Sequence, residues 1–326
     1  MAVFSEYGFE SADDVHTRIH GVKWECESGE PLAALMLVHG MQEHIERYDE
    51  FARFLADRGF VVMGHDHIGH GESVEDESGL GIMHCAYPDD VMVEDMFTNY
   101  KIMRKQYPGR PYFILGHSMG SYLLRKFLCV RSSDLGDLNG AIIMGTGTEN
   151  DAAIVAGRTL CRILMAFHGR DAKSDAIKGL MFGSRYYRQF DTTGADPANS
   201  WLSKNIDNVR EYMDPANRKD CCDFSLNGYM ILLRATQFDN SMKNIRRMNM
   251  DIPILFVSGD MDPVGAMGEG VKKAHEKFAK AGVKDLSIKL YHNDRHEILN
   301  ELDRESVYSD LYEWMKDRLE FQPVGK

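Results

Sequence analysis

Short runs of consecutive apolar residues alternate along the chain with stretches in which apolar positions recur every three or four residues. The runs are residues 33–38, 61–64, 112–115, 141–144, 254–257 and 286–291. Runs this short and continuous predict strands buried on both faces, and their alternation with helical patterns predicts a mostly parallel sheet with helices on both faces. Between them, Ile45, Tyr48, Phe51, Phe54 and Leu55 define one buried helix face. Val271, Ala274, Phe278 and Ala281 repeat that spacing, as do Val307, Leu311, Trp314 and Met315. The segment before residue 33 alternates more loosely and predicts an antiparallel hairpin at the sheet edge. The rhythm stops between about residues 145 and 249, where helical patterns are punctuated by Gly183, Gly194, Pro197 and Pro215. That stretch reads as a helical insertion, after which 254–257 resumes the sheet.

The chain has 326 residues, 44% of them apolar, with 38 Lys plus Arg against 50 Asp plus Glu and a net charge of −12. This composition is that of a globular protein. The acidic balance argues against a nucleic-acid partner, which needs an excess of cations, and against electrostatic tethering to anionic lipid. No apolar run approaches the ~20 residues that span a bilayer. The first ten residues have neither the basic nor the apolar region of a secretory signal, so the expected location is cytoplasmic. Cys26, Cys85, Cys129, Cys161, Cys221 and Cys222 are scattered, which predicts free thiols rather than a disulfide framework.

Candidate chemistry begins at Gly116-His117-Ser118-Met119-Gly120, which directly follows the run 112–115 and opens a helical pattern. A serine on a sharp strand-to-helix turn is held in a strained conformation with its hydroxyl exposed, and the helix N-terminus offers an amide where an oxyanion would form. A second amide is expected from the loop after an earlier strand. His39-Gly40-Met41 follows 33–38, so the expected donors are the N–H groups of Met41 and Met119. Serine needs a positioned base. An acid beyond a late strand and a histidine beyond the last would complete the set, and Asp260 or Asp262 with His292 or His296 leaves four pairings open.

Other residues carry weaker signals. His65, His67 and His70 cluster with Asp66, but Gly69 and Gly71 suit a hydrogen-bonded turn better than a metal site. Glu43 and Arg47 lie one helical turn apart and are expected to pair. His275 is expected on the surface. Leu160, Ile163, Leu164 and Phe167 form one apolar stripe that could line an acyl channel, meet a lipid surface, or pack on the core or a second subunit.

The chain resembles the monoacylglycerol lipase and lysophospholipase branch of the α/β-hydrolases, also labelled serine aminopeptidase-like. The resemblance rests on His39-Gly40-Met41-Gln42-Glu43-His44 with Arg47-Tyr48, on residues 65–73 (His-Asp-His-Ile-Gly-His-Gly-Glu-Ser), and on the Gly116–Gly120 turn. It continues through Trp201-Leu202-Ser203, Tyr212-Met213-Asp214-Pro215, Gly259-Asp260-Met261-Asp262-Pro263-Val264 and Arg295-His296-Glu297-Ile298-Leu299-Asn300-Glu301. It implies Ser118 as nucleophile, Asp262 as acid, His296 as base, and the amides of Met41 and Met119 as the oxyanion hole. It implies an α/β-hydrolase core, residues 1–145 and 246–326, with a helical cap over 146–245. The implied substrate is a small ester or lipid-like molecule, with transient lipid-surface contact through the cap and with no metal or organic cofactor. Peptidase action at a free N-terminus, or ligand binding without turnover, are the alternatives. Met41 and Gln42 replace the smaller residues common in this loop, which bears on acyl preference rather than on the chemistry.

Overall fold

The computed structural model describes residues 2–27, 29–183, 186, 188–190, 197–214 and 223–320; Gly194, Pro215, Cys221 and Cys222 lie outside them. In chain order the elements are β1 (Ala2–Glu10), β2 (Arg18–Cys26), β3 (Ala33–Val38), α1 (Asp49–Ala56) and β4 (Phe60–His65). They continue with α2 (Pro88–Gln106), β5 (Tyr112–His117), α3 (Met119–Val130), β6 (Leu138–Met144) and α4 (Asp151–His168). Next come α5 (Asp175–Phe182), α6 (Ile206–Met213), α7 (Leu226–Asn240) and α8 (Met242–Ile245). The chain closes with β7 (Ile254–Gly259), α9 (Glu269–Ala281), β8 (Leu286–Tyr291) and α10 (Arg304–Lys316).

The eight strands form one sheet in the order β1-β2-β4-β3-β5-β6-β7-β8. β1 pairs with β2, and β2 with β4, antiparallel; every other pair is parallel. Each predicted run lies within a strand, and the predicted edge hairpin is β1–β2. All positions of β3, β4, β5, β6 and β7 are buried, which is why those runs are continuously apolar. Their side chains alternate between two cores. Met36, Met63, Ile114, Ile143 and Phe256 pack with Met96 of α2, Leu123 of α3 and Phe278 of α9. Leu35, Val62, Phe113, Ile142 and Leu255 pack on the other face with Phe51 of α1 and Leu311 of α10.

The helix α2 is 19 residues long, yet the apolar spacing does not single it out. The structure gives the reason. Besides Met92, Met96, Tyr100 and Met103 it buries polar groups, each with a distant partner. Asp89 accepts from Lys126 at 2.6 Å, Asp95 accepts from Ser11 at 2.7 Å, and Asn99 meets His65 at 3.1 Å. Buried charges matched in this way dilute the 3.6-residue signal.

Cys26, Cys85, Cys129 and Cys161 are free thiols. Burial pushes Cys85 and Cys129 up to about 12 and Cys161 to about 11, which makes them poor nucleophiles. No described helix is long and apolar enough to cross a membrane.

The polar ends of β3, β5, β6 and β7 lie side by side, since Val38 pairs with Gly116, His117 with Met144, and Val257 with Met144. The loops after these strands therefore converge at one edge, the usual position of a site in such sheets. Packing beneath that edge is tight. A Cβ on Gly64 of β4 would lie 2.3 Å from Cδ1 of Ile45 and 2.6 Å from its Cγ1. Gly64→Ala is expected to cost about 1–3 kcal/mol by overpacking. Combined with Ile45→Ala it should cost less than the sum of the two single changes, which urea unfolding of the three variants checks.

Candidate active site

Ser118 joins β5 to α3 with φ 51° and ψ −121°, a conformation that an L-residue holds only under constraint. The constraint comes from both sides. A Cβ on Gly116 would lie 2.4 Å from the Gly120 carbonyl oxygen, and one on Gly120 would lie 2.1 Å from the Val38 carbonyl oxygen. Only glycine permits α3 to start this close to β3 and β5. The Ser118 N–H donates to the Met144 carbonyl at 3.0 Å, and its own carbonyl accepts from the Ser121 N–H at 2.8 Å. The side chain is half-buried at the floor of a cavity. Met119 is the first residue of α3, so its amide is among those that have no partner within the helix.

The loop after β3 comes close beneath Ser118: a Cβ on Gly40 would stand 3.0 Å from the serine Cβ. Met41 lines the same cavity. This loop is tied down by Glu43. Its Oε1 accepts from the Gly40 N–H and from the Tyr48 hydroxyl at 3.0 Å, and its Oε2 accepts from Arg47 at 3.3 Å. The expected Glu43–Arg47 pair is present, but Arg47 is shared. It makes a two-pronged contact with Glu297, Nη1 to Oε1 at 2.8 Å and Nη2 to Oε2 at 3.0 Å. Burial alone would raise the Glu297 carboxyl; the Arg47 charge outweighs it and brings it down to about 2.

The four open acid–histidine pairings resolve into two parallel ones. His296 Nδ1 lies 3.0 Å from Asp262 Oδ2, and His292 Nδ1 lies 2.9 Å from Asp260 Oδ2. Distance does not separate them. Burial does: Asp262 and His296 are 0% and 3% exposed, whereas the His292 side chain is 95% exposed. Asp262 also accepts from the Ser258 hydroxyl at 2.9 Å and the Val264 N–H at 2.8 Å. Its burial favours the acid form, and the His296 charge with these donors outweighs that and leaves its pKa below the ordinary value. His296 lines the cavity with Ser118, whereas neither Asp260 nor His292 does.

Trp201 and Leu202 clamp the histidine loop. The His296 N–H donates to the Trp201 carbonyl at 3.4 Å, the Glu297 N–H donates to Leu202 at 2.8 Å, and the indole lies 5.1 Å from the imidazole. The cavity of about 170 Å³ is walled by Ile154 and Gly157 of α4, Met181 and Phe182 of α5, and Leu232 and Leu233 of α7. It is polar near Ser118, where Gln42, Glu43, His117, Tyr212 and Glu297 face it. The predicted stripe on α4 lies on its opposite side: Leu160, Ile163 and Phe167 are exposed, with only Leu164 half-buried, and the inward face is Ile154, Gly157 and Cys161.

His65, His67 and His70 are buried with His39, their rings 4.2–6.0 Å apart. Asp66 organises the turn, accepting from the Ile45 and Glu72 amides at 2.8 and 2.9 Å and pairing with His20 at 3.0 Å. His275 departs from its expected surface position. It is half-buried with its ring 5.9 Å from Phe256, and burial lowers its pKa. Sequence reasoning missed His117, Asn208 and the pairing of Glu297. The Arg47–Glu297 contact spans 250 residues, and no local spacing signals it.

The strand order and the serine turn define an α/β-hydrolase. The profile of the serine aminopeptidase S33 family matches residues 29–303, and the chain belongs to that family. It is 26% identical over 298 residues to human monoglyceride lipase, covering 89% of this chain and 84% of that protein. It is 24% identical over 317 residues to the monoacylglycerol lipase of Mycolicibacterium smegmatis, covering 97% and 98%. Among solved structures, a thermostable carboxyl esterase from Bacillus coagulans in complex with glycerol superimposes with a TM-score of 0.87 at 25% identity, covering 97% of this chain and 99% of that one. A soluble variant of the Saccharomyces cerevisiae monoglyceride lipase shares the fold, with a TM-score of 0.69 at 17% identity over 93% and 92% of the two chains.

Arg47→Leu would leave Glu43 and Glu297 buried without their guanidinium. It is expected to cost about 3–5 kcal/mol in urea unfolding at pH 7. The Glu297 carboxyl is held below its ordinary 4.5, so its contribution is complete above that pH and is lost as pH falls from 4.5 toward 2. The difference between variant and wild type should therefore shrink over the same acid range.

Proposed function

We propose that the protein is a serine hydrolase that cleaves carboxylic esters through an acyl-enzyme. Ser118 Oγ attacks the ester carbonyl while His296 Nε2 takes its proton. Asp262 holds the Nδ1–H and stabilises the imidazolium. The amides of Met41 and Met119 hold the tetrahedral oxyanion. His296 then protonates the leaving alcohol, and a water molecule repeats the sequence on the acyl-enzyme. The observation that carries this reading is the buried Asp262–His296 pair, 3.0 Å apart, whose histidine lines the same cavity as the strained Ser118. No step calls on a metal or an organic cofactor.

Replacing Ser118 or His296 by Ala should lower kcat by about 10⁴-fold or more. His292→Ala, in the exposed pair, should leave turnover intact. A fluorophosphonate probe should label the wild type and not Ser118→Ala. Esterase activity that survives in Ser118→Ala would end this account.

The substrate class is a monoacylglycerol, a lysophospholipid or a similar small ester. The apolar walls from α4, α5 and α7 suit an acyl chain, and relatives named as monoglyceride lipases support the same class. Residues 146–245 then act as a helical cap on a core of 1–145 and 246–326. The outward Leu160, Ile163 and Phe167 suit transient contact with a lipid surface. Against a peptidase reading, Glu43 and Glu297, two of the carboxylates that line the cavity with Glu149, are both bound by Arg47, so neither is free to take a substrate ammonium. Across p-nitrophenyl esters of graded chain length, kcat/KM should exceed that on aminoacyl anilides at every length. A preference for the anilides would reverse the assignment.

A further inference from the structure

The reading above leaves His117, the residue before the proposed nucleophile, without a role. It is buried, and its ring stands 4.8 Å from that of His296. Its Nδ1 lies 3.1 Å from Glu43 Oε1 and 3.1 Å from the Tyr48 hydroxyl. Its Nε2 lies 3.3 Å from the main-chain carbonyl oxygen of His296.

These contacts constrain where the protons sit. A carbonyl oxygen can only accept, so Nε2 must carry a proton to bond it. Glu43 receives donors from Gly40, Tyr48 and Arg47 and has no need of a proton of its own. Tyr48 has one hydroxyl proton, and of its two neighbours, Glu43 Oε1 at 3.0 Å and His117 Nδ1 at 3.1 Å, the carboxylate is the stronger acceptor and takes it. Nδ1 therefore faces an anion and an oxygen whose proton is committed, and it must donate as well. Both ring nitrogens carry hydrogen.

Charge balance leads to the same state. Glu297 accepts from Arg47 through both oxygens, from Asn208 at 2.6 Å and from Asn300 at 3.2 Å, so it too is an anion. Two buried carboxylates then share one guanidinium. A neutral His117 would leave one negative charge uncompensated among buried side chains, an unfavourable state. A cationic His117 brings the cluster to zero.

We propose that His117 is a standing imidazolium and a positioning residue for the base. Its Nδ1–H on Glu43 and its Nε2–H on the His296 carbonyl tie the loop after β3 to the loop after β8 through the residue that adjoins Ser118. This rests on the hydrolase reading for its effect on turnover, though not for the charge state itself. The groups that face the ring are Glu43, Arg47 and Tyr48 from the segment after β3, and His296 and Glu297 from the segment after β8. Asp262 lies behind His296, and Asn208 and Tyr212 of α6 pack against Arg47, the tyrosine ring 5.1 Å from the guanidinium. Burial by itself pulls the ring toward neutrality, and the hydrogen bond and charge of Glu43, assisted by Glu297, outweigh it and raise its pKa above the ordinary value.

Below its raised folded-state pKa the ring is charged, and both ties hold there. As pH rises through the folded-state value the ring loses one N–H, and one loop is released. Turnover should fall on the alkaline side for that reason.

The test is in two arms. In ¹⁵N-histidine-labelled protein at pH 7.5, where an ordinary histidine with a pKa of about 6.5 is neutral, long-range ¹H–¹⁵N spectra should show His117 with two protonated nitrogens. Assignment is by loss of that pair in His117→Asn, and Glu43→Gln should convert it to a neutral tautomer. The signature should persist in Ser118→Ala, so this arm stands or falls apart from the hydrolase reading. In the second arm, His117→Asn, checked for a cooperative thermal melt, should lose about tenfold or more in kcat at pH 7.5 with little change in KM. Its profile should lack the alkaline fall. A neutral His117 ring at pH 7.5 in the wild type, or a His117→Asn profile parallel to the wild type at every pH, overturns the proposal.

Discussion

The site depends on one close approach of backbone to backbone. Where α3 leaves β5, the Gly120 Cα presses against the Val38 carbonyl so tightly that a single methyl group would sit 2.1 Å from it. That approach holds Ser118 at positive φ, aims the amide end of α3 at the cavity, and brings Gly40 under the serine. Strain of this kind costs about 1–3 kcal/mol and survives only where surrounding structure over-determines it. Here the buried strands on either side, β3 and β6, supply that determination: Ser118 donates to Met144 of one, and Gly120 abuts the end of the other.

Around this rigid point the loops are joined by charge rather than by apolar packing. Glu43 binds the loop after β3 and the residue before Ser118; Glu297 adjoins His296 and is bound to the same Arg47. Buried ion networks add little net stability over an apolar core of equal volume, but they are intolerant of partial occupancy. A network of this type therefore suits positioning. It holds separate loops in one arrangement and makes every other arrangement leave a charge unpaired.

The two acid–histidine pairs show what a contact distance does and does not say. Asp260–His292 and Asp262–His296 have nearly the same geometry, 2.9 and 3.0 Å. The first is in water, where screening leaves such a pair weak. The second is sealed beneath Trp201, where each hydrogen bond to Asp262 acts at low dielectric and fixes the orientation of the ring. A cavity shared with the serine and burial, rather than the pairing itself, separate the two.

Much of this was written locally in the chain. The strands between residues 33 and 291 were legible because a strand buried on both faces must be apolar at consecutive positions, and the serine turn because its two glycines answer a steric demand within five residues. The helix α2 was not, because its buried Asp89, Asp95 and Asn99 find partners dozens of residues away and break the apolar period. Which aspartate meets which histidine, a matter that spacing alone left open, the face that α4 turns inward, and the Arg47–Glu297 link took shape only on folding. Periodicity records which side of an element is dry, and turn chemistry records where backbone must bend. Which distant charges meet, and how much water remains around them, depends on the separation of residues far apart in sequence, and that exists only once the sheet has closed.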